Sequence, residues 1–89
     1  PLRRGTAEAI EAVVHGDRHT SSLVGRRVDE VKWPAGCHIA AIVRGDEVIM
    51  GRDHSQILQD GDHIVFFVSR RRVLRELEKV IQVKMGFFG

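Results

Sequence analysis

Residues 39–50 read IAAIVRGDEVIM, and the way these residues pair with one another sets the architecture around them. Two apolar runs flank Arg44-Gly45-Asp46-Glu47. If Gly45 and Asp46 are the central residues of a turn, the glycine takes the positive φ that two-residue hairpin turns require. Counting outward, Arg44 faces Glu47, Val43 faces Val48, Ile42 faces Ile49 and Ala41 faces Met50. The first pair is opposite in charge and the other three are apolar on apolar, each worth roughly 0.2–1 kcal/mol. A slip of one residue destroys every match, so the pattern predicts a hairpin of fixed register over 37–50. The Arg-Gly-Asp tripeptide, familiar as a cell-adhesion tag, reads here as the hairpin corner, with Arg44 paired across it to Glu47.

Strict alternation puts Cys37, Ile39, Ala41, Val43, Val48 and Met50 on one face, and Ile42 and Ile49 on the other. A one-sided antiparallel sheet carries polar residues on its outer face. Both faces here are apolar, so a second layer or another subunit is expected to cover the second one. Ile42 and Ile49 are therefore candidate interface residues.

Residues 63–68, HIVFFV, form a continuous β-branched and aromatic run, the pattern of a central strand buried on both faces. Before it, RDHSQILQDGD (52–62) reads as a loop anchored by Ile57-Leu58, with Asp60-Gly61-Asp62 as a turn signal. After it, RRRVLRELEKVIQ (70–82) predicts an amphipathic helix with Leu77 at the centre of its apolar stripe. The basic residues of its first turn oppose the helix dipole. The tail VKMGFFG (83–89) carries Phe87 and Phe88, which are expected to dock on the fold or on a partner and join the interface candidates.

Upstream, SSLVGRRVDEVKW (21–33) predicts a short helix capped by Ser21 or Ser22 and stopped by Pro34, with Trp33 folding back as an apolar lid. Residues 5–16, GTAEAIEAVVHG, are ambiguous. Ala and Glu favour helix, whereas the alternation of Glu8, Ile10, Ala12 and Val14 also suits a strand.

The 89 residues amount to one small domain, 1–89, and the start at Pro1 rather than Met suggests a piece of a longer protein. A net charge of +2 attracts nucleic acid only weakly, and with no Tyr and few aromatics there is no platform for stacking bases. No nucleic-acid partner is expected. Cys37 is the sole cysteine, so no intramolecular disulfide forms. No stretch approaches the ~20 apolar residues of a membrane span.

Catalytic patterns are missing. The histidines at 15, 19, 38, 54 and 63 lack the tight spacing of a metal site. Cys37 sits in no reactive-thiol motif, the serines lie in no nucleophile elbow, and neither a P-loop nor G-x-G-x-x-G occurs. No catalytic residue and no metal site is assigned, and the chain is not expected to be an enzyme.

Four segments carry a resemblance when taken together: SSLVGRRVDEV (21–31), WPAG (33–36), HIAAIVRGDEVI (38–49) and ILQDGDHIVFFV (57–68). They resemble the C-terminal regulatory domains, TrkA_C or RCK_C, of potassium-transport regulators. RRGTAEAIEAVVHGD (3–17) and the closing pair of phenylalanines look like the branch found in bacterial Trk-type uptake regulators. The resemblance implies a small α+β fold, β-α-β-β-β-α with a mixed or antiparallel sheet, in which 7–15 is a strand. It also implies a homodimer, and a cytoplasmic subunit held at the inner face of the cell membrane by a membrane potassium-transporter subunit. NAD or another nucleotide is implied only for separate upstream domains, and no cofactor for these residues. Some relatives bind a cyclic dinucleotide through residues just before the second strand. The matching stretch here, 32–38, departs from their arginine/asparagine pattern. The expected function is a non-catalytic regulatory and dimerisation domain of a potassium uptake system. The alternative is a small-ligand sensor, with a nucleotide or anion in a groove near Arg26, Arg27, His38 and Arg44.

Overall fold

The hairpin of β2 (Cys37–Arg44) and β3 (Glu47–Met50) has the predicted register, from Ala41 opposite Met50 to Arg44 opposite Glu47. The computed structural model describes residues 8–81. Gly45 has φ +59° and Asp46 does not have a positive φ, the sign pattern of a type II′ turn. β4 (His63–Val68) adds antiparallel to the other edge of β2, and β1 (Glu8–Val13) adds antiparallel to β4. The sheet order is β1-β4-β2-β3, so the HIVFFV run is central, as predicted. The ambiguous 5–16 stretch contributes a strand because β4 offers it a full ladder, Glu8 opposite Val68 through Val13 opposite His63. Such tertiary pairing outweighs the helix preference of Ala and Glu.

Two local expectations are corrected. The first concerns residues 21–33, where only Val28–Glu30 is helical, as a single 3-10 turn. Ser21 Oγ does accept the N–H groups of Leu23 and Val24. The chain then reverses at Gly25, whose φ of +84° no α-helix tolerates. From there the backbone bonds to residues 54–58. Gly25 N–H donates to the Leu58 carbonyl, Leu58 N–H to that of Arg26, Val28 N–H to that of Gln56, and Asp29 N–H to that of His54. The donors that a helix would use internally are satisfied by a segment thirty residues away.

The second correction concerns the faces of β2. A bulge between Ile39 and Ala41 shifts the pairing with β4, so alternation breaks at Ala40. Cys37 and Ile39 therefore share the inner face with Ile42, Ile64, Phe66 and Val68. Ile42 is 1% exposed and Ile49 6%, both within this chain's own core. Their face is covered by a second layer of the same chain, so they are not open to a partner as the interface expectation required.

The core lies on that inner face. α1 (Arg71–Ile81) covers part of it through Val73 and Leu77. The long β1–β2 connection covers the rest with Val14, Leu23, Val28 and Val31. Trp33 folds back as predicted: its ring packs on Phe66 at 5.4 Å and its indole N–H donates to the Val28 carbonyl at 3.0 Å. Leu58 is fully buried, while Ile57, the other half of the expected anchor, is exposed. Ser22 Oγ donates to the Val80 carbonyl and ties the connection to α1.

Candidate functional site

The outer face of the sheet follows from the same register. Val13, His63, Val43 and Val48 form one row across the four strands. Glu11, Val65, Ala41 and Met50 form the next. Ala9, Phe67 and His38 begin a third. No other described element covers these rows. Val48 is 61% exposed, Met50 53%, Phe67 47% and Val13 39%. β4 is therefore buried on one face only: Ile64, Phe66 and Val68 point inward, while Phe67 is open. Contiguous apolar surface of this kind marks an interaction site. Its polar members are His38 and one hydrogen-bonded pair, His63 Nδ1 with Glu11 Oε1 at 2.8 Å.

Of the residues proposed for a ligand groove, Arg44 and Arg27 both lie beside Ile57, while Arg26 and His38 line different clefts. Arg44 is committed to the fold. Its Nε and Nη2 donate to the two carboxylate oxygens of Asp62, each at 2.9 Å, and Nη2 also donates to the Ile57 carbonyl. The Asp62 hydrogen bond is the main cause that raises the Arg44 pKa above its ordinary value. Asp62 is fully buried and takes a further bond from the Gln59 N–H. The predicted Arg44–Glu47 pairing thus holds in register, but the ion-pair partner is Asp62. Arg26 donates to the Glu30 carbonyl and Arg27 pairs with Asp29 at 2.6 Å. His38 alone of the four lines a cleft of about 370 Å³, together with Val28, Trp33, Cys37, Arg52 and His54. Burial raises the Cys37 thiol pKa, which makes it a poor nucleophile. Among the described residues, no group of three or more His, Cys, Asp or Glu could hold a metal ion. Phe87 and Phe88 lie outside the described residues.

Sequence reasoning missed Val13 and Phe67 as surface residues and Asp62 as the partner of Arg44. Alternation within HIVFFV placed Val65 and Phe67 together on one face, and that was the available signal for the first. Nothing local signals the second, because the pair spans eighteen residues.

The fold and this surface define a small α+β domain with one open, apolar sheet face. The chain belongs to the TrkA-C domain family, whose model matches residues 18–82. It is 45% identical to the Trk system potassium uptake protein TrkA of Halomonas elongata over 87 residues, 98% of this chain and 19% of that protein. It is 49% identical to the protein of that name from Vibrio alginolyticus over 81 residues, 91% of this chain and 18% of that one. The one from Haemophilus influenzae is 46% identical over 86 residues, 97% of this chain and 19% of its own length. The chain thus spans about a fifth of the length of the curated relatives it matches.

Proposed function

We propose that the chain, read as a single domain over 1–89, is a non-catalytic regulatory and assembly domain of a Trk-type potassium uptake system and works as a homodimer. The observation that carries the proposal is the open sheet face of Val13, Val43, Val48, Met50, Val65 and Phe67. A second copy laid on this face gives a two-fold contact in which the same patch serves both partners. Two sheets packed in this way bury their facing side chains in a layer about 10 Å thick. The family membership and the potassium uptake role in the names of the relatives support the transport setting.

The mechanism is mechanical. The dimer contact fixes the relative positions of the domains joined to each copy. Nucleotide binding in such domains favours one arrangement of the assembly over another, and a membrane potassium-transporting subunit on the cytoplasmic side reads the difference. Coupling of this kind is a difference in binding free energy between two states and needs no chemistry in this domain. The test places Val48→Glu with Phe67→Glu in a full-length Trk regulatory protein that carries this domain. Potassium uptake is expected to fall while protein level stays unchanged. Uptake at the unaltered rate contradicts the proposal.

A second reading, a small-ligand sensor, rests on the cleft beside Trp33. Its volume lies in the range of small-molecule sites, and His38, Arg52 and His54 line it. Calorimetry with a panel of nucleotides separates the two readings, since the assembly reading requires no heat from any of them.

A further inference from the structure

The outer side of α1 carries a charge pattern that the fold does not use. At about 100° per residue, Arg71, Arg72, Arg75 and Lys79 fall within roughly 100° of arc, centred opposite the buried Val73 and Leu77. All four are exposed, as is Arg70 just before the helix. Among the described residues none of them forms an ion pair; the Arg and Lys pairs there are Arg27–Asp29 and Arg44–Asp62. Glu76 and Glu78 flank the stripe rather than neutralise it. The first turn holds no acidic residue, so Arg71 and Arg72 face the positive end of the helix dipole. Folding stability gives no reason to gather cations there.

We infer that this stripe is a docking surface for an anionic lipid bilayer. The stripe is convex and has no deep pocket of its own. The shallow groove beside it is lined by Glu8 and Glu78 as well as Arg71 and Arg75, which disfavours a single bound anion. Long, unpaired guanidinium groups on a convex face suit a broad, laterally mobile layer of phosphates, to which arginine bonds in bidentate fashion. Duplex nucleic acid is a poorer fit, because a helix seated in a groove meets phosphates along both flanks, where Glu76 and Glu78 lie, whereas a flat bilayer meets the outward stripe alone. Each basic residue near an anionic membrane strengthens partitioning about fivefold. The net contribution of one helix is modest, and two helices in one assembly multiply it.

The inference stands on the charge pattern alone and does not require the dimer. The test is flotation of the 89-residue chain with phosphatidylcholine vesicles, with and without phosphatidylglycerol. Binding is expected only with phosphatidylglycerol, and is expected to fall away in high salt as the charges are screened. Arg71→Gln with Arg75→Gln should weaken it about 25-fold. Arg27→Gln with Arg52→Gln removes the same charge elsewhere and should leave most of it. Equal binding to both vesicles, no binding to either, or equal loss in the two double variants overturns the inference. So does duplex DNA that binds as tightly and loses binding with the same α1 variant. The salt response of the unaltered chain decides the electrostatic claim even if a variant misfolds.

Discussion

Arg44 and Asp62 hold the hairpin corner against the turn that leads into β4, through two parallel hydrogen bonds of 2.9 Å. The two ends of this pair are unequally buried. The Asp62 side chain is 1% exposed and that of Arg44 is 25%. The tripeptide that reads as an adhesion tag is thus a structural corner, with its arginine turned into the fold.

This inequality predicts an order. Arg44→Ala leaves a buried carboxylate with only the Gln59 N–H and should cost about 3–5 kcal/mol. Asp62→Ala leaves a guanidinium that can swing into water and should cost less, about 2–3 kcal/mol. Urea unfolding of both variants checks this, and a costlier Asp62→Ala contradicts it.

The two faces of the hairpin should respond differently to one kind of change. Ile42→Ala opens a cavity in the core and should cost about 2–5 kcal/mol. Val48→Ala lies on the outer face and should cost about 0.5 kcal/mol or less in the monomer. Equal losses in thermal unfolding of the isolated monomer contradict the hairpin register that puts these residues on opposite faces.

Gly51 is fixed by close approach. A Cβ there meets the Ile39 carbonyl oxygen at 1.9 Å, directly beside the bulge. Gly51→Ala should force the backbone apart, with a loss of about 3 kcal/mol or more in unfolding free energy. A variant as stable as the parent rules out this packing of 51 against 39–40.

Acid should loosen two surface loops. The backbone N–H groups of His19 and Thr20 hold the Asp17 carboxyl below its ordinary pKa. The Gln56 and Ser55 side chains do the same for Asp53. A lowered folded-state pKa adds stability above the unfolded value, and that stability is lost as pH falls through the folded one. The loss begins near pH ~4 and continues downward. Asp17→Asn and Asp53→Asn should flatten the acid limb of a stability profile, and an unchanged limb contradicts the assignment.

The sequence made some of this legible and hid the rest for physical reasons. The hairpin register was readable because its matches are local pairs around one turn. α1 was readable because its apolar stripe repeats at helical spacing. The 21–33 segment misled because its backbone partners lie at 54–58, so helix-like spacing of Leu23, Val28 and Val31 serves an irregular, core-packed connection instead. One bulged residue, Ala40, was enough to move Cys37 and Ile39 to the side of Ile42, while the alternation over 41–50 held. The idea of a second apolar face survived, but its open members are Val48, Met50, Phe67 and Val13 rather than Ile42 and Ile49. Of the proposed groove of Arg26, Arg27, His38 and Arg44, three residues are bonded to neighbours of their own, and those bonds are not legible in sequence spacing.

Whether the open sheet face joins two copies is decided by the solution mass of the 89-residue chain and of its Val48→Glu/Phe67→Glu variant by sedimentation equilibrium. A homodimer gives twice 10.0 kDa for the chain and 10.0 kDa for the variant, with the variant still folded. A mass of 10.0 kDa for the unaltered chain at high concentration, or a doubled mass for the variant, contradicts it.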